Sequence, residues 1–333
     1  MVKQHIFGNF HSVEGSMTAE EAMEVAKLDY EVKKSPVTFP TIRTGISDSG
    51  DFIDVTTQNQ LEKRFVTYRT DTDVGFDVVS DNYNIVQNKD AFSFFDNLSE
   101  KGGIIYKNAG YVGKGEKVFL QAKLPEDVTI LNEEYENYLT LVLSHDGKAS
   151  IKCFFTPTRI WCNNTLISSF KESNNKVTIR HSSNALERLN SSSEILGISK
   201  KYFQDTKEFL ERSSKINLNT EDFKSNFKTI FLDDKEIKEL TDSKLSFADG
   251  VKKGIISTRK LNVMQEAYRY TMGHETQQSE ACKGTAYGLL QGVTGYFQNV
   301  KSFRDEKVKF ESIMEGTSQK IVQRSVKLIE TLL

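Results

Sequence analysis

Cysteine is scarce in this chain, with three in 333 residues. That excludes a disulfide framework, and the absence of any CxxC pair fits a reducing compartment. Only four prolines stand beside abundant Lys, Asn, Ser and Phe, a composition that hints at an AT-rich coding genome. Long apolar runs are missing: nothing approaches the roughly 18–20 residues of a membrane span, and the opening MVKQHIFGNFHSVEGSM lacks the apolar stretch of a signal peptide. A cytoplasmic protein without a membrane partner is expected. Charge of one sign is lacking too. With 44 Lys and Arg against 46 Asp and Glu the formal net charge is −2, so any nucleic-acid site must be a local patch. There is no HExxH, GxSxG, Walker loop, dinucleotide fingerprint or spaced carboxylate pair. No cofactor, no metal and no catalytic residue is assigned on this ground.

What is present gathers between Tyr138 and His181, which holds the only tryptophan, two of the three cysteines and two of the five histidines. Leu139, Leu141 and Leu143 alternate with Thr140, Val142 and Ser144, the period-2 pattern of a two-faced strand. His145-Asp146-Gly147-Lys148 supplies tight-turn chemistry. On the return strand Ile151, Cys153 and Phe155 point one way, and Lys152 and Phe154 the other. Thr156-Pro157 ends it, and Asn163-Asn164-Thr165 offers a cap for a helix over Leu166–Phe170. Residues 147–190 carry Lys148, Lys152, Arg159, Lys171, Lys176, Arg180 and Arg188 against Glu172 and Glu187, an excess of five positive charges. Interleaved aromatics suit stacking on unpaired bases beside phosphate contacts. The candidate nucleic-acid contacts are Lys148, Lys152, Arg159, Trp161, Asn164, Lys171, Lys176 and Arg180. His145, Asp146 and His181 form a second candidate polar cluster, and Arg159, Asn164 and Arg180 are expected to lie with His145 and His181 on one surface or cleft. Structural readings compete: a core hairpin punctuated by Asp, Gly, Pro and Asn, with a solvated basic face.

Elsewhere, Thr18 and Glu21 have the spacing of a capping box for a helix running to about Lys33. Pro36 and Pro40 bracket an extended piece, and 46–51 reads as a turn or loop. Sheet-like alternation runs from Lys63, with a helix from Asn88 to Gly102-Gly103. The glycine-rich piece Gly110–Gly115 lacks the Gly-Lys-Ser/Thr ending of a phosphate loop and reads as a hairpin loop. Beyond Ser183 the period changes to that of helices, including 220–231, 233–242, 281–297 and 317–332. Gly284, Gly288 and Gly292 make a stripe suited to close helix packing. The predicted fold is α+β, a mostly antiparallel central sheet with helices packed on it. Three regions are expected: an N-terminal helix and extended arm (1–61), a sheet-rich core (62–182) and a helical C-terminal half packed on the core (183–333).

Several segments in order resemble the phage/plasmid-like protein family, a domain of unknown function numbered 932. They are Met17–Ala22 with Leu28–Val32, Val78–Phe92, Gly115–Pro125, Ser144–Gly147, Thr156–Arg159, Cys162–Leu166, Arg180-His181 and Gly284–Tyr296. The last departs from the family pattern at Ala286, Gln291 and Gly295. The resemblance implies a phage, prophage or plasmid setting in a bacterial host cell, and with it DNA replication, recombination or defence evasion. The expected function is nucleic-acid binding, of the single-strand DNA annealing and recombination type, with single-stranded DNA and further copies of the chain as partners. The alternatives are an enzyme acting on nucleic acid or nucleotides through His145, Asp146, Arg159 and His181, and an interaction protein that blocks a defence factor.

Overall fold

The computed structural model describes residues 9–16, 18–125, 127–159, 164–165, 176–190 and 195–333. The main sheet is antiparallel throughout, in the order β1 (Asn9–Ser12), β5 (Ile105–Val112), β6 (Lys117–Lys123), β8 (Glu133–Ser144), β9 (Ile151–Arg159) and β10 (Asn164–Thr165). Two short strands join it off this path, β7 (Val128–Ile130) on β8 and β11 (Lys176–Ile179) on β9. A second, three-stranded sheet is built from β2 (Val32–Ile46), β3 (Phe52–Arg69) and β4 (Gly75–Ser80). The α+β expectation holds. Sheet pairing also reaches outside the anticipated 62–182, through β1 and through β2, and the boundary expected at 61 falls inside β3.

Both faces of the main sheet are covered. On one lie α1 (Ala19–Ala26) and α2 (Asn88–Gly102), where Phe92, Phe95, Leu120, Leu141, Cys153 and Phe155 form one apolar core. On the other, Phe119, Val142 and Phe154 meet Phe310, Ile313 and Met314 of α10 (Glu306–Met314). The alternation read along β9 therefore assigns each side chain to its correct face. Burying each of these aromatic and aliphatic side chains stabilises the fold by about 1.5–3 kcal/mol before entropy is counted.

Helix limits follow their local chemistry. Thr18 accepts a hydrogen bond from the Glu21 N–H, as its position implies, but the helix stops at Ala26 because Lys27 turns left-handed. The expected run to Lys33 is cut short, and Val32 already pairs with Arg69 across β2–β3. Asn219 and Asp233 close full capping boxes for α5 (Thr220–Phe231) and α6 (Asp234–Asp242). In α9 (Ala286–Gly295) the glycine stripe serves close packing: a Cβ at Gly292 would stand 2.1 Å from Thr271 Oγ1, and one at Gly288 1.8 Å from the Cys282 carbonyl oxygen. The helical half is tied to the sheet by a buried polar relay. The Tyr135 and Tyr287 hydroxyls lie 2.6 Å apart, Tyr287 donates to Glu133 at 2.5 Å, and Gln291 Nε2 donates to Tyr135 at 3.1 Å. Gln291, one of the departures from the family pattern, is thus a structural donor between the two halves.

Candidate functional site

The link between β8 and β9 is longer than a tight turn, running through residues 145–150. Its first residue is no exposed turn residue: His145 is fully buried. Its backbone N–H donates to the Glu116 carbonyl at 2.7 Å, and its carbonyl accepts from Thr67 Oγ1 at 2.7 Å. The ring nitrogen Nε2 lies 2.8 Å from Asn88 Oδ1, while Asn88 Nδ2 donates to the Leu28 carbonyl. Asp146, also buried, accepts through Oδ1 from Ser144 Oγ at 2.5 Å and from the Lys148 N–H at 3.0 Å. The Tyr83 hydroxyl donates to the Ser144 carbonyl at 2.8 Å and accepts from the Gly147 N–H, and its ring stacks on half-buried His181 at 4.8 Å. Gly147 has φ +69°, and a Cβ there would meet Val79 at 2.8 Å. Glycine is required at that turn.

His145, Asp146 and His181 lie close together, with His145 and Asp146 inside the fold rather than on a surface. Burial pushes His145 down to about 3, helped by the neighbouring His181, and pushes His181 down to about 4. Both imidazoles are neutral at physiological pH. Among the described residues His145 Nδ1 and Asp146 Oδ2 are buried without a hydrogen-bond partner, whereas the His181 ring has the Asn84 backbone beside it. Among the described residues no group of three His, Cys, Asp or Glu is placed to hold a metal ion.

The expected nucleic-acid contacts fare differently. Lys152 is buried on the α10 face and paired with Glu315, and Lys148 is paired with Asp77. Nearby, Lys117 meets Glu311 at 2.6 Å and Lys307 meets Glu116. Burial acts to raise Glu116, but Lys307 and the backbone N–H groups of Glu116 and Lys114 together hold it below the usual carboxylate range. Lys117, Lys152 and Lys307 fasten α10 to the sheet, whereas Lys148 ties the β8–β9 link to β4. Arg180 is exposed. Arg159 ends β9, Lys176 opens β11, and Asn164, expected to cap a helix, instead starts the short strand β10 opposite Arg159. The side chains of these three, with Trp161 and Lys171 altogether, lie outside the described residues, as does the helix expected at 166–170.

A second site has no counterpart in the sequence reading. Between α8 (Thr258–Gly273), the wide turn at Tyr296–Val300, α10 and α11 (Thr317–Leu332) lies a cleft of about 620 Å³. Arg259, Lys260, Lys301, Lys320 and Arg324 line it, against the single carboxylate of Glu311. Glu311 is engaged by Lys117, and Lys260 by Glu236. Among the described residues Arg259, Lys301, Lys320 and Arg324 form no ion pair with a carboxylate, while Arg324 donates to the Ile230 and Leu232 carbonyls at 3.5 and 3.3 Å and lies in electrostatic reach of Asp233. Lys301 lies over the rings of Phe297 and Phe303, at 5.0 and 4.8 Å. Burial, with Arg259 nearby, holds its ammonium below the usual lysine range. Sequence reasoning missed this cleft because its cations are spread from 259 to 324, with no local excess to find.

A family model described as "Domain of unknown function (DUF932)" matches residues 75–314. The chain belongs to this family. The matched residues of this DUF932 protein take in the buried turn, the Tyr135–Tyr287 relay and Arg259 and Lys301 of the cleft, but not Lys320, Arg324 or the β2–β3 ribbon. No curated protein and no solved structure matches the chain. Among the described residues no helix is long and apolar enough to cross a membrane.

Proposed function

We propose that this DUF932 protein binds single-stranded DNA in the basic cleft and self-associates, as a strand-annealing or recombination protein of a phage or other mobile element. The supporting observation is the four cations, Arg259, Lys301, Lys320 and Arg324, left without carboxylates around one cleft. Phosphates following the cleft would displace counterions from the strand, and half-buried Phe303 beside Lys301 offers a base a surface to stack on. Annealing needs no general acid or nucleophile, only a groove that holds a strand with its bases accessible. Anisotropy of a labelled oligonucleotide over a salt series tests this. Single strands should bind more tightly than duplex, and the affinity should fall steeply with salt. Absence of binding at low salt would refute the reading.

One observation favours a second reading, an enzyme acting on nucleic acid or nucleotides: the polar atoms His145 Nδ1 and Asp146 Oδ2, unpartnered among the described residues, beside His181. A neutral imidazole with a free ring nitrogen beside a carboxylate is a proton acceptor in waiting. Turnover of a labelled oligonucleotide or nucleotide that His181→Ala abolishes would move the assignment there. No turnover by the parent protein, with or without added divalent cations, would remove it.

A further inference from the structure

The β2–β3 ribbon stands apart from both cores. Among the described residues β4 pairs with β3 only from Arg64 to Tyr68 and β2 has no second neighbour, so from Pro36 to Ile46 the ribbon has two open edges. At about 3.4 Å per residue that free length is roughly 34 Å. Residues paired directly across an antiparallel ribbon share a face. One face carries Ile42, Ile46 and Phe52, which are 67%, 69% and 80% exposed; the other carries Phe39, Ile53 and Val55, all exposed. Long, flat, apolar edges left open invite pairing with another chain, and proteins ordinarily blunt them with charge or cover them.

Charge along the ribbon selects the occupant. The tip, residues 46–54, holds Asp48, Asp51 and Asp54 and no cation. The middle, 37–45 and 55–61, holds only Arg43. The root, 31–36 and 62–69, holds Lys33, Lys34, Lys63, Arg64 and Arg69 against Glu31 and Glu62. Arg69 is neutralised by Asp71 at 2.6 Å, which still leaves the root positive. An acidic tip repels phosphate, so neither a nucleic acid nor an anionic membrane suits it. The ribbon is complementary to itself: turned antiparallel about a two-fold axis near Ile42, each tip meets the other root, and the middles, charged only at Arg43, face each other.

We infer that the β2–β3 ribbon is a self-association arm that lies antiparallel against the same ribbon of a second copy of this chain, acidic tip on basic root. This interface stands independently of the strand-binding reading, since it leaves the basic cleft open and needs no DNA.

Sedimentation equilibrium of the full chain without nucleic acid tests it. The parent should be a dimer at low salt, loosening as salt is added. A tip variant (Asp48→Lys, Asp51→Lys, Asp54→Lys) and a root variant (Lys33→Glu, Lys63→Glu, Arg64→Glu) should each dissociate at least tenfold more readily. Their equimolar mixture should restore the dimer, because a ribbon with net positive charge at tip and root then meets one with net negative charge at both. Far-UV circular dichroism should be unchanged, the substituted side chains being outside the cores. A monomeric parent, variants that associate like the parent, or a mixture that stays monomeric would each overturn the arm, whatever the oligonucleotide titration shows.

Discussion

Two groups of cations lie on opposite sides of α10 and differ in one respect. On the sheet side, Lys117, Lys148, Lys152 and Lys307 each meet a carboxylate: Glu311, Asp77, Glu315 and Glu116. In the cleft, Arg259, Lys301, Lys320 and Arg324 meet none among the described residues. The first group is fixed inside the protein's own hydrogen-bonding and ion-pair economy and has little left for a phosphate. In the second, Arg259, Lys301 and Lys320 retain their charge for a ligand, and Arg324 is steadied by the Ile230 and Leu232 carbonyls. Lys148 and Lys152 belong to the densest basic stretch of the sequence, yet local density says nothing about which carboxylates the fold brings from residues 77 and 315.

Neutralising the cleft should have the largest effect. An Arg259→Ala/Lys320→Ala/Arg324→Ala variant loses up to three phosphate contacts, and at about 0.1 M salt its single-strand affinity should fall roughly a hundredfold. Anisotropy titration checks this, with circular dichroism to confirm the fold. A much smaller loss would mean that unpaired charge does not mark the binding surface.

Lys152→Ala should act on stability instead. It leaves Glu315 without its partner and opens space beside Phe154, at a cost of roughly 1–3 kcal/mol in urea unfolding with strand affinity unchanged. Lys148→Ala removes an exposed pair with Asp77, and should cost less than about 1 kcal/mol. Lost strand binding in either folded variant would reverse the comparison.

Acid should weaken the sheet-side region selectively. His145 stays neutral in the fold down to about 3, whereas the unfolded chain protonates it near 6.5. Unfolding therefore takes up a proton as pH falls from about 6.5 towards 3, and stability drops through that window by up to about 1.4 kcal/mol per pH unit. Urea midpoints measured between pH 7 and 5 should show this slope, and His145→Asn should flatten it. An unaltered slope would mean that His145 is not the group responsible.

Much of this arrangement is legible in the sequence where the signal is local. The alternation in Ile151–Phe155, the caps at Thr18, Asn219 and Asp233, and the helical period after Ser183 all depend on neighbours a few residues away. His145 was legible as a turn residue but not as a buried one, because Thr67 of β3, Asn88 of α2 and Glu116 of the β5–β6 turn approach it from elsewhere in the chain. The cleft was illegible for the same reason, since its cations come from three separated elements. Strand β10 at Asn164 shows the same override, as pairing with β9 takes residues whose local chemistry suits a helix cap.

The salt dependence of single-strand binding in two variants, side by side, tests the central claim most directly. On single strands each phosphate contact contributes about 0.7 to the slope of log affinity against log salt. The Arg259→Ala/Lys320→Ala/Arg324→Ala protein should therefore lose about 2 units of slope, while Lys148→Ala/Lys152→Ala keeps the parent's slope. The opposite pattern, a flattened slope in the sheet-side pair and an unchanged one in the cleft variant, would contradict the account.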